Sequence, residues 1–191
     1  MGDVPSWPVA ITPVPRPSSA DVVALRSLDA SFGTDVVLAV SALPGGGFAL
    51  SEERVDPPVT RRYRFADGLR AGERPPWDTL FVARAGTDVL GVAATTFTGW
   101  NRRQRVDELH VAPSARGRGL ARELLDHVRD VAVANGAREL WLETQTVNLP
   151  AVRAYRRMGF AVTGIDTTRY APPFDADVAL FLSAPVTRPP T

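Results

Sequence analysis

The chain has 191 residues, which fits one domain, and its 45% share of hydrophobic residues is enough for a core. It holds no cysteine and two histidines, His110 and His127, which exclude disulfides, thiolate metal sites and a cysteine nucleophile and leave too few ligands for zinc. The formal charge is +1, unlike that of a general nucleic-acid binder, and all 22 basic residues are arginine, so the lysine of a Schiff base or a P-loop is missing.

The arginine-only usage fits a coding bias as well as selection for phosphate binding, since guanidinium keeps its charge and forks onto phosphates. No run reaches the roughly 20 apolar residues of a membrane span, and no basic-then-apolar leader stands at the start. A soluble cytoplasmic protein with no membrane or nucleic-acid partner is therefore expected. The oligomeric state stays open, a homodimer included.

In chain order, residues 1–18 carry five prolines and read as a lead, with a short strand in "VAIT" over 9–12. The stretch 18–33, "SSADVVALRSLDASFG", reads as a helix with its N-cap at Ser19 and apolar Val22, Val23, Leu25 and Leu28. "LPGGGFALSEERV" is a turn into a strand, and "DPPVTRRYRF" an extended edge, because proline is excluded from central strands. "ADGLRAGERPPWD" is loop with about one helical turn.

Residues 79–100 read as two antiparallel strands joined near Gly86 and Asp88, and "QRVDELHV" as a third. A helix is expected over 117–135, closed by Asn135-Gly136, then a strand in "ARELWLETQ". A second helix spans 148–158 with Gly159 behind it, followed by strands in "FAVTGIDTTRY" and "DVALFLS" and a tail over 185–191. The expected organisation is one α/β domain over 19–184. Strand, helix and strand over 104–144 form a βαβ unit, so its strands run parallel with a right-handed crossover. Ligands of such units sit off the carboxyl ends of the strands. Val111, the arginine-glycine turn and residues 143–146 are expected at one cleft.

The turn "ARGRGLA" places Gly117 and Gly119 at the helix start, where each glycine costs about 1 kcal/mol relative to alanine. A helix start offers about four unpaired N–H groups and a partial positive charge, an anion seat that side chains at these positions would block. Arg116 and Arg118 add charge suited to a diphosphate. Downstream, Leu120, Leu124, Leu125, Val128 and Val131 form the packing stripe. Asn148, Ala151 and Tyr155 lie at spacings of three and four on one face of the second helix.

Arg116, Gly119 and Ala121, following "ELHVAP", resemble the acyl-CoA signature of the GNAT superfamily of N-acyltransferases, and Asn148, Ala151, Tyr155 and Gly159-Phe160 match its second motif. The resemblance implies a mostly antiparallel sheet with one parallel pair that splays to bind CoA. It implies acetyl-CoA as co-substrate, with pyrophosphate on the amides of Arg116, Gly117, Arg118, Gly119, Leu120 and Ala121. The pantetheine arm would pair with the backbone of Leu109, His110 and Val111. Tyr155 would protonate the departing thiolate beside small Ala151, and Asn148 would steady either the pantetheine or the helix start. No metal is implied.

With no cysteine for an acyl-enzyme, direct attack by an amine is simplest. An alkylammonium has an ordinary pKa near 10.4, so a base must first take its proton. Alternation in "ELWLET" sets Trp141 and Glu143 on one side of the strand and Leu140 and Leu142 on the other. Ribosomal-protein N-acetyltransferases have a similar "LWLE…N" arrangement with that glutamate as base, so Glu143 is the first candidate. Asp107 and Glu108 are rivals that alternation turns to opposite faces; either could instead bind the cationic amine.

"GWNRRQRVDELHV", "LETQTVNLPA" and "GIDTTRY" followed by "DVALF" are similar to the streptothricin acetyltransferase group, over about residues 80–181. The resemblance implies acetylation of an amine on a small cationic antibiotic, with Trp100, Asp166 and Tyr170 as walls of the acceptor pocket. The alternatives are a protein or peptide N-acetyltransferase, a non-catalytic acyl-CoA sensor, and a plain interaction domain.

Overall fold

The computed structural model describes residues 9–174 and 177–187. The expected lead and tail lie partly outside the described residues, at 1–8 and 188–191. Elements follow in the order β1 (Ala10–Pro13), α1 (Ser19–Ser27), β2 (Ser31–Ala42), β3 (Phe48–Arg62), β4 (Thr79–Ala85), β5 (Asp88–Thr98), β6 (Arg103–Val111), α2 (Leu120–Ala134), β7 (Glu139–Gln145), α3 (Leu149–Arg157), β8 (Ala161–Asp166) and β9 (Ala179–Pro185). The chain contacts divide into two compact units: one of residues 9–31, 62–140 and 185–187, the other of residues 32–61, 141–174 and 177–184.

Four antiparallel strands in the order β1-β4-β5-β6 build the first unit. Helix α1 is capped by Ser18, not Ser19: Ser18 Oγ accepts from the Asp21 amide at 3.1 Å and the Ser18 amide donates to Asp21 at 2.9 Å. This reciprocal box ties up two of the helix's orphan donors. The helix also ends earlier than expected, and Ser31–Gly33 belong to β2, a strand not anticipated. Val22 and Leu25 of α1 pack on Leu80 and Val82 of β4 and Val92 and Ala94 of β5.

Helix α2 covers the other face. Its Leu120, Leu124, Leu125, Val128 and Ala132 are buried, close to the stripe expected. A Cβ at Gly91 would meet the His110 carbonyl at 2.9 Å and Leu124 Cδ1 at 3.1 Å, so only glycine lets α2 sit this near β5.

In the second unit, β2 and β3 form a two-stranded sheet, so residues 56–62 of the "DPPVTRRYRF" stretch are edge strand as expected, while residues 63–65 lie beyond its end. Strands β7, β9 and β8 pair in that order, with β8 and β9 antiparallel. Along β7, Leu140 and Leu142 are buried while Trp141 and Glu143 are half-buried, as the alternation required. Strand β8 stops at Asp166, so residues 167–170 are turn rather than the expected strand. Thr146 ties three segments of this unit together. Its carbonyl accepts from the Leu38 amide at 3.0 Å, its amide donates to the Val178 carbonyl at 2.9 Å, and its hydroxyl oxygen accepts from the Val178 amide at 3.3 Å.

Candidate active site

The glycine turn differs from its sequence reading in one respect. Gly117 and Gly119 precede α2 instead of lying in its first turn, after a single 3-10 turn at Pro113–Ala115. Their φ angles are +75° and +89°, so left-handed backbone, which glycine alone adopts without strain, accounts for their choice. Gly119 caps the helix with no side-chain hydrogen bond, and the first intrahelical donors are Arg122 and Glu123, both to the Gly119 carbonyl. The amides of Leu120 and Ala121 come before them, at the positive end of a 15-residue helix. A Cβ on Gly117 would meet nothing within 4 Å, and one on Gly119 only Glu123 Oε1 at 4.0 Å. The space over the turn is open, and the donor set suits a diphosphate.

The two arginines of the turn part company. Arg116 donates through Nε to the Val111 carbonyl at 3.0 Å and through a terminal nitrogen to the Ser31 carbonyl at 2.5 Å. It braces backbone, and it occupies one carbonyl of the Leu109–Val111 segment. Arg118 is exposed.

Strand β6 carries the rival carboxylates, and the simple alternation fails there. Ala94 pairs with Glu108 and Thr95 with Val106, which leaves Asp107 as the extra residue of a bulge. Across a bulge the two-residue period is broken, so adjacency no longer turns Asp107 and Glu108 to opposite faces. Asp107 accepts from Thr96 Oγ1 at 2.7 Å and pairs with Arg105. Burial lifts its carboxyl above the usual range, against the opposing pull of Thr96 and Arg105. Glu108 Oε2 lies 2.7 Å from His110 Nε2. The His110 ring stacks on Phe65 at 5.0 Å and tilts against Tyr63 at 5.7 Å. No sequence signal beyond the i, i+2 spacing marked this pair.

Trp100 sits in the turn before β6, at the opposite end from Val111 of a strand about 26 Å long, and is 88% exposed. The structure does not bring it to the glycine turn. A cavity of about 190 Å³ beside α1, lined by Tyr63, Phe65 and Asp67 among others, contains none of the candidate site residues.

In the second unit, Asn148 caps α3, its side-chain oxygen accepting from the Ala151 amide at 3.3 Å. Of its two expected roles, the helix-start one is thus filled. Tyr155 is 9% exposed and its ring tilts against Phe160 at 5.7 Å. Glu143 is gripped at both oxygens: Oε1 accepts from the Tyr170 hydroxyl at 3.0 Å, and Oε2 from Arg169 Nε at 3.1 Å. A second Arg169 nitrogen lies 3.0 Å from the same oxygen. Arg169 went unnoticed in the sequence, because nothing local links it to a glutamate 26 positions earlier. Asp166 shapes the same turn, its Oδ1 accepting from the Thr168 amide at 2.8 Å and hydroxyl at 2.9 Å. Those bonds, the amide's first, hold its carboxyl below the usual range. Among the described residues no cluster of three or more metal-ligating side chains occurs, and no helix is long and apolar enough to cross a membrane.

The model of the acetyltransferase (GNAT) family matches residues 48–160. A streptothricin acetyltransferase of Streptomyces lavendulae is 39% identical over 176 residues, covering 89% of this chain and 92% of that protein. The similarity thus reaches well beyond residues 80–181. The crystal structure of a nourseothricin acetyltransferase aligns with a TM-score of 0.81 at 37% identity, over 94% of this chain and 99% of that one. A structure from Bacillus anthracis solved with acetyl coenzyme A shares the fold, with a TM-score of 0.74 at 19% identity over 96% and 99% of the two chains.

Proposed function

The chain belongs to the acetyltransferase (GNAT) family, and on that premise we propose that it acetylates a primary amine of a small, streptothricin-like cation. It is an acyltransferase of mixed α/β fold with a mostly antiparallel sheet, and acetyl-CoA is its co-substrate. The observation that carries the choice of acceptor is the likeness to streptothricin acetyltransferase along nearly the whole chain, far beyond the family's two shared motifs.

In this reading the open amides of residues 117–121, with Arg118, take the pyrophosphate, and the backbone of Leu109, His110 and Val111 takes the pantetheine arm. Tyr155 gives its proton to the leaving thiolate. Asn148 holds the start of α3, and Ala151 keeps that helix face clear. Asp166, Arg169 and Tyr170 form the acceptor loop, anchored on Glu143. Arg169 and Tyr170 favour the ionised, anchored form of Glu143 and weaken it as a base, so anchoring is its proposed role. We place the enzyme in the cytoplasm, as monomer or homodimer, with residues 19–184 as the catalytic domain and no nucleic-acid or membrane partner.

The test is release of CoA thiol from acetyl-CoA in the presence of streptothricin, simple alkylamines and peptides. Turnover with streptothricin well above the peptides supports the reading. Turnover with peptides alone reassigns the enzyme to protein acetylation, and acetyl-CoA binding without acetylation of any amine makes it a sensor.

A further inference from the structure

We propose that His110, oriented by Glu108, takes the proton of the acceptor amine; the inference rests on the N-acetyltransferase reading above. Each of the three carboxylates considered for this step has partners in the structure. Glu143 is held by a guanidinium and a phenol, and Asp107 by a hydroxyl and a guanidinium. These donors stabilise the ionised form and so make either carboxylate a weaker base. Glu108 differs, because its partner is an imidazole, whose second ring nitrogen can take up a proton while the first holds the carboxylate.

The pair is built into the sheet. Cross-strand partners share a face, and Gly91 with its partner Val111 faces α2, as the approach of Leu124 shows. Val92 and Ala94, the partners of His110 and Glu108, instead join the apolar cluster under α1. His110 and Glu108 therefore stand together on the α1 face, one residue past the bulge at Asp107. Such a polar pair on an apolar face costs stability unless it is fully satisfied or used. Phe65 and Tyr63 fix the imidazole plane, and the side chain remains 12% exposed. In the tautomer with hydrogen on Nε2, Glu108 accepts from it and the lone pair lies on Nδ1.

The step balances simply. Nδ1 forms a bond to a proton of the alkylammonium, the N–H bond breaks, and its electron pair stays on the amine nitrogen. The imidazolium is stabilised by Glu108 and later returns its proton to water. The amine nitrogen bonds the thioester carbonyl carbon as the C–S bond breaks. The thiolate takes a proton from Tyr155, and the surplus proton on the acylated nitrogen restores the phenol.

The experiment compares wild type with His110→Ala, His110→Gln and Glu108→Gln, measuring turnover of streptothricin and, by calorimetry, affinity for acetyl-CoA. Both His110 variants should lose about 100-fold or more in kcat and keep acetyl-CoA affinity within about threefold. Imidazole in the buffer should restore His110→Ala by about tenfold, and Glu108→Gln should lose about tenfold in kcat with KM unchanged. Full turnover in either His110 variant, loss of acetyl-CoA binding in both, or no rescue by imidazole overturns the assignment while the enzyme's function stands. A wild type that acetylates no amine overturns the functional reading, and this assignment with it.

Discussion

The hydroxyl of Tyr170 donates to Glu143 at 3.0 Å, across 27 positions of sequence, and so joins the turn after β8 to the end of β7. Arg169 from the same turn closes on the second oxygen. Glu143→Gln keeps an acceptor for Tyr170 but removes the charge that holds Arg169. Its expected effect is a rise in acceptor KM of about tenfold, with kcat changed by no more than about threefold, because a charged hydrogen bond is worth about 1.5–3 kcal/mol before its exposure is discounted. A collapse of kcat at constant KM in steady-state kinetics would return Glu143 to the role of base.

Tyr155→Phe keeps the buried ring and its contact with Phe160 while deleting the hydroxyl. Turnover should fall by about 100-fold, the size of a lost general acid, with acetyl-CoA affinity nearly unchanged. Equal turnover in the two proteins would make the phenol structural.

The two arginines of the glycine turn should separate in a paired experiment. Arg116→Ala removes a brace on two carbonyls and is expected to lower stability by about 1 kcal/mol, given the side chain's exposure. Arg116→Lys should not recover it, since an ammonium cannot span both oxygens as the planar fork does. Arg118→Ala should leave the melting temperature alone and weaken acetyl-CoA binding severalfold. Identical behaviour of the two variants in melting and calorimetry would refute the division.

Gly119→Ala puts a Cβ at φ +89°, a strain of about 1–2 kcal/mol, and projects a methyl into the space proposed for the pyrophosphate. Acetyl-CoA affinity should drop by more than the strain alone explains, about tenfold or beyond at a temperature where the variant is fully folded. Unchanged affinity in a destabilised protein would show that the glycine serves the turn only.

The box at the start of α1 gives a pH signature. Hydrogen bonds from Ser18, first the side chain's and then the backbone's, hold the Asp21 carboxyl below its ordinary 3.8. A lowered folded-state value means the stabilisation is complete above 3.8 and fades as the pH falls through the depressed value. Asp21→Asn should therefore melt below wild type at neutral pH, by about 1 kcal/mol for a lost cap, and the gap should close in strong acid. A gap that persists there would point to lost packing.

Features written in neighbouring residues were legible in the sequence. Asn148 and Gly159 bracket α3, and the hydrophobic alternation of "ELWLET" reappears as buried Leu140 and Leu142. Features set by partners distant in sequence were not. The Asp107 bulge exists because β5 pairs two residues of β6 against one step of its own, which the β6 sequence alone does not encode. Strand β2 lacks turn punctuation before it, so Ser31–Gly33 read as a helix end. The positions of the turn's glycines are legible in the sequence, but the left-handed backbone that selects them depends on the three-dimensional path of the turn. Arg169 and the Glu108–His110 pair required coordinates, because charge and spacing alone gave them no priority.

Thr146, the residue after β7, bonds Leu38 on one side and Val178 on the other, so the end of β7 takes its position partly from Leu38, in a strand that bears no candidate for chemistry. Variation along residues 32–42 would therefore be felt at the end of β7. A laboratory evolution campaign that randomised only the reacting groups would pass over these positions.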